Sequence, residues 1–132
     1  MSTFQPAGAY MAVALVSYLL GNATARALCR KPTLRHCVMF KFREDATEQQ
    51  KAALWAAILE MPAKIKEIVC IQSGTDLALA EGNHHFCANV DFFSEADYKV
   101  YATHPAHLEV LNNHIKPLLV PGSRSAVQFR LA

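Results

Sequence analysis

Three of the six histidines fall close together in the last third of the 132-residue chain: His104, His107 and His114. Tyr101 precedes them in the segment Tyr101-Ala-Thr-His104-Pro-Ala-His107. An imidazole titrates near neutrality and can give or take a proton. A tyrosine hydroxyl beside it could hold a substrate carbonyl or share its proton. Facing an apolar cavity, such a pair suits proton abstraction next to a carbonyl. A metal is the other chemistry to weigh, with His104, His107 and His36 as ligands. Zinc needs three or four ligands converging on a tetrahedron, and Pro105 disturbs the helical register between the first two. No metal and no cofactor are therefore expected. Pro105 also pushes His104 into extended geometry, so His104 reads as a residue that starts a helix. For His107, a capping role and an acid–base role both stand.

The elements around this segment follow from periodicity. Residues 34–42 alternate apolar and polar side chains, as a strand does. Thr47-Glu-Gln-Gln50 fits a capping box, and Leu54, Trp55, Ile58 and Leu59 then recur at helical spacing. Pro62 is expected to end that helix. Residues 64–73 and 85–93 read as strands two and three, separated by a loop containing Gly74, Asp76, Gly82 and Asn83. Ser94 is a good N-cap for residues 95–103. Pro105 suits the first turn of a further helix over 105–119, striped with Leu108, Leu111, Ile115, Leu118 and Leu119. Residues 124–131 read as the last strand. The order βαββαβ is the ferredoxin-like split arrangement of an α+β domain. Val38, Phe40, Val69, Ile71, Phe86, Val90, Val127 and Phe129 are expected beneath the helices. The opposite set is Cys37, Met39, Ile68, Cys70, Cys87, Asn89 and Gln128. It is too apolar for water and too polar for a dry core, which points to a homodimer joined sheet to sheet.

Bulk properties agree with one small domain. The chain is 52% hydrophobic and 18% charged, against roughly 45–50% and 25% in ordinary globular domains. The excess must go to an interface, a cavity or a targeting segment. A net charge of +2 without a run of like charges excludes a nucleic-acid footprint. Cys37, Cys70 and Cys87 lie in strand-like runs and read, with Cys29, as buried reduced thiols. His84 and His85 read as solvated loop residues, His114 as exposed and Trp55 as core. Residues 1–33 form a separate leader with no acid; the first is Glu44. Its apolar stretch, residues 7–21, is short for a membrane span. A packed N-terminal helix and a targeting peptide, with Ala23-Thr24-Ala25 as a cleavage-like site, both remain open. The expected location is cytoplasmic or organellar, and residues 34–132 are the domain.

Four pieces together resemble the stress-responsive A/B barrel (Dabb) family over residues 34–131. They are His36-Cys-Val-Met-Phe-Lys-Phe42, Gly74-Thr-Asp76, Phe92-Phe-Ser-Glu-Ala96 and Tyr101-x-x-His104-Pro-Ala-His107. The resemblance implies a dimeric α+β barrel in which two ferredoxin-like sheets close on each other. Most members are stress-linked proteins. One plant member, olivetolic acid cyclase, is a polyketide cyclase that closes a ring by intramolecular aldol condensation. By motif position its catalytic Tyr and His would fall on Tyr101 and His107. Its substrate-binding positions would fall on His36, Val38, Phe40, Leu54, Trp55, Ile58 and Ala88, with His104 beside them. The third-strand His of the cyclase falls at Phe86, and Leu54 and Ile58 stand where it has aromatic residues. The resemblance thus implies a homodimeric stress-responsive protein. Its alternative is a cyclase-like, carbon–carbon bond-forming enzyme or binder of a small apolar carbonyl compound.

Overall fold

Side-chain alternation builds the first strand, β1 (Leu34–Phe40), in which Leu34, His36, Val38 and Phe40 are buried and their neighbours half-buried. The computed structural model describes residues 30–132, so the expectations for the leader and for Cys29 lie outside the described residues. Helix α1 (Glu48–Lys64) opens on the capping box. Thr47 Oγ1 accepts from the Gln50 N–H at 3.2 Å, and Gln50 Oε1 accepts from the Thr47 N–H at 2.9 Å. Leu54, Ile58 and Met61 form its buried line, while Leu59 is exposed, contrary to expectation. Pro62 does not end the helix. It sits in the last turn, where it removes a single donor, and the Ile65 N–H closes that turn on Met61 O at 2.8 Å.

The second strand begins later than its apolar run suggests. Lys64 belongs to α1, and Ile65 and Ile68 are buried in a turn closed by the Ile68 N–H on Ile65 O at 3.2 Å. β2 spans Cys70–Thr75 and β3 spans Phe86–Phe92. Ser94 caps α2 (Glu95–Thr103), accepting from the Asp97 N–H at 3.1 Å. The expected long helix is two pieces: α3 (Pro105–Val110) and a π-helical turn, Leu111–Ile115. There the Lys116 N–H reaches Leu111 O at 2.9 Å. The extra residue in this turn rephases the stripe, so Val110, Ile115 and Leu118 are buried and Leu108 is exposed. β4 (Ser125–Arg130) ends the fold.

The sheet runs β2-β3-β1-β4, with every neighbouring pair antiparallel. Register decides which side chains share a face. His36 lies opposite both Val90 and Gln128, and Val38 opposite both Ala88 and Ala126. Gln128 is therefore on the helix-covered face, and Val127 and Phe129 are on the open one, the reverse of what their polarity suggests. Ile68 is core rather than open-face. The open face also carries Arg35, whose Nε and Nη2 donate to Asp91 Oδ1 and Oδ2 at 2.7 and 2.9 Å. Cys37 and Cys87 lie there half-buried with sulfurs 4.0 Å apart, and Cys70 is exposed, so these three thiols are not core residues. Among the described residues no helix is long and apolar enough to cross a membrane.

Candidate functional site

A sharp corner in the chain brings Tyr101 and His107 together. The His104 N–H closes α2 on Tyr101 O at 3.1 Å. His104 itself is extended (φ −66°, ψ 134°), as a residue before proline should be. Its Nδ1 then accepts from the Ala106 N–H at 3.1 Å and opens α3. In an unbroken helix, six residues would carry a side chain about 240° around the axis. The corner cancels that rotation, and the Tyr101 and His107 rings stack with centroids 4.2 Å apart and planes 32° from parallel.

The protonation states follow from the partners. His107 Nδ1–H donates to Ala102 O at 3.2 Å, which leaves Nε2 with its lone pair. His36 reaches the same space from β1, where its Nδ1 accepts from the Gln128 side-chain amide at 2.7 Å. Its proton therefore sits on Nε2. Burial pushes His36 down to about 4, and the Arg124 cation and then His107 add to the effect. Burial also lowers His107, opposed by the bond to Ala102 O and assisted by Arg124 and His104. The Tyr101 hydroxyl is pushed up by burial and by nearby Tyr98, with Arg124 opposing. At neutral pH the site thus holds two uncharged imidazoles and a protonated phenol. A neutral imidazole is a competent base, and a protonated phenol is a hydrogen-bond donor.

His36, Val38, Ile58, Ala88, Tyr101 and His107 border one cavity of about 30 Å³, closed on the helix side by Met61, Leu111 and Ile115. That is room for about one or two waters. The other positions named from sequence lie elsewhere. Phe40 and Leu54 are fully buried in the core. Trp55 packs edge-on against Phe86 at 5.2 Å. His104 is occupied as a cap. His85 is exposed, as expected of a loop residue, and His84 half-buried; each is also hydrogen-bonded, His85 Nδ1 accepting from the Phe42 N–H at 3.0 Å and His84 Nε2 lying 3.0 Å from Ser123 O. His114 is half-buried. Among the described residues no three His, Cys, Asp or Glu side chains are grouped to hold a metal.

Sequence reasoning missed Gln128 and Arg124. A glutamine between Val127 and Phe129 is a visible polar interruption, and pairing β4 with β1 by register would have found its partner. Arg124 carries no such signal, because only the tertiary fold brings it to the cavity.

Comparison with known proteins agrees with this architecture. A dimeric ferredoxin-like protein of unknown function from Thermobifida fusca is 33% identical, with a TM-score of 0.68 over 79% of this chain and 96% of that one. Another dimeric protein of unknown function with a ferredoxin-like fold, from Bacteroides fragilis, is 28% identical, with a TM-score of 0.63 over 76% of this chain and 98% of that one. The hydroxynitrile lyase of Passiflora edulis shares the fold at 17% identity, with a TM-score of 0.68 over 76% of this chain and 94% of that one. No curated protein matches the sequence. The family model for the stress responsive A/B barrel domain matches residues 34–129, the region that contains the corner and all of the sheet but the last residue of β4, and the chain belongs to that family, Dabb.

Proposed function

We propose that this Dabb protein is a homodimer whose Tyr101–His107 pair acts on a small, largely apolar carbonyl compound. The observation that carries the reading is the 4.2 Å ring contact between a buried phenol and an imidazole on one cavity. His107 Nε2 takes a proton from the carbon beside the carbonyl. The Tyr101 hydroxyl donates to the oxygen that gains charge, and His36 lines the same space. The resulting enolate can attack a second carbonyl in an aldol closure, the chemistry of the family's polyketide cyclase. The cavity must widen to admit a ligand, and the side chains that yield are Met61, Leu111 and Ile115 on its helical wall. The dimer reading rests on the open face, where Val127 and Phe129 are 51% and 44% exposed, and on the dimeric Thermobifida fusca relative.

Deuterium exchange tests the chemistry. Wild type should accelerate exchange of the α-protons of a medium-chain methyl ketone in heavy water. His107→Gln should lose about 100-fold or more of that acceleration, and Tyr101→Phe should lose less. A His107→Gln variant that exchanges as fast as wild type sinks the reading. A second reading makes the corner purely structural, favoured by the small cavity and by the bonds that His104 and His107 make within the corner. It predicts no exchange by wild type and a lowered melting temperature for His107→Gln. Light scattering tests the dimer, and a monomer at micromolar concentration contradicts it.

A further inference from the structure

Arg124 is the exposed member of an otherwise buried or half-buried set of residues lining the cavity. It directly precedes β4 (Ser125–Arg130), and its even-numbered position shares the helix-covered side with Ala126 and Gln128. Its charge is felt at His36, Tyr101 and His107 alike. Among the described residues no ion pair takes up this cation. Every acid in the chain lies at Glu44 or later, within the described residues. Among those residues the ion pairs join Arg35 to Asp91, Arg43 to Asp45, Lys51 to Glu48, Lys64 to Glu60 and Arg130 to Glu95. The rest of the cavity holds uncharged imidazoles, a phenol and hydrocarbon. A guanidinium at the mouth of such a site matches the planar fork of a carboxylate.

Resting on the reading of the Tyr101–His107 cavity as a carbonyl site, we propose that Arg124 selects substrates in which the carbonyl compound also carries a carboxylate. The carboxylate stays at the mouth on the Arg124 guanidinium. The apolar chain and carbonyl pass inward toward Tyr101 and His107. Because the arginine is exposed before binding, its preference should weaken as salt rises.

The test uses a medium-chain γ-keto acid and its methyl ester, two probes of one skeleton differing in charge. Affinity is measured by calorimetry at low salt, and the His107 ring resonances report whether a probe enters the cavity. The keto acid should bind wild type about tenfold more tightly than the ester, in line with a charge-assisted hydrogen bond. Arg124→Gln should bring the acid down to the affinity of the ester, and Arg124→Lys should recover part of the difference. Equal affinities for the two probes in wild type, or an acid preference that survives Arg124→Gln, overturn the role of Arg124 while the cavity reading stands. If neither probe moves the His107 resonances, the cavity reading falls and this one with it. An unchanged melting temperature for Arg124→Gln confirms that a lost preference is not a lost fold.

Discussion

The two faces of the four-stranded sheet use their polar groups differently. On the helix-covered face, His36 and Gln128 meet across β1 and β4 beneath Tyr98 and Tyr101. Burial there suppresses the charge of His36. On the open face, Arg35 and Asp91 form a two-bond ion pair between directly opposed residues of β1 and β3. One strand, β1, supplies Arg35 to one face and His36 to the other by simple alternation. Neighbouring positions in sequence thus acquire opposite electrostatic character from what covers them. The covered face holds its imidazoles and phenol uncharged, and the open face carries an ion pair.

That contrast can be broken most strongly from the covered side. Phe86 is almost fully buried against Phe40 and Trp55. Phe86→Ala should cost roughly 3–5 kcal/mol in urea unfolding; a loss below about 1 kcal/mol would mean this face is not the core. The next effect is a pH dependence. The unfolded chain protonates His36 at its ordinary 6.5, whereas the folded chain does so only at about 4. The stability held by the neutral ring is therefore fully present above 6.5 and is lost as pH falls toward 4. Its size is on the order of 3 kcal/mol, and His107, lowered in the same direction, adds to it. His36→Gln should flatten this slope in pH-dependent melts, and an unchanged slope would separate it from His36. The smallest expected effect is on the open face. Val127→Ser should change the stability of an isolated protomer by about 0.5 kcal/mol or less. In the dimer it should lower the melting temperature in a way that vanishes on dilution. An effect independent of concentration would mean that Val127 acts within the protomer.

Much of this was legible in sequence, for reasons that also mark the limit. Local chemistry read correctly: the Thr47 capping box, the Ser94 cap and the break at Pro105 involve residues a few positions apart. The order βαββαβ followed from counting such segments. Polarity alone puts Val127 and Phe129 on the wrong face of β4 and Gln128 on the other. Register against β1 puts Val127 and Phe129 on the open face, which polarity alone does not reveal. The late start of β2 has a similar cause, since Ile65 and Ile68 are as apolar in a buried turn as in a strand. At the site, Tyr101 and His107 were legible as a pair because one corner joins them. Their electrostatic surroundings were not, since Gln128 and Arg124 arrive from the other end of the domain.

This division has a consequence for folding order. The corner at His104 and Pro105 uses contacts within a few residues, whereas His36 and Gln128 are 92 positions apart. Local contacts can form early, and pairings between distant strands wait for loop closure. A nascent or half-assembled chain can therefore display Tyr101 stacked on His107 while His107 still has the basicity of a solvated imidazole. Closure of β4 onto β1 then brings Gln128 and Arg124 to the cavity. The proton affinity of His107 should thus report whether the domain has finished folding.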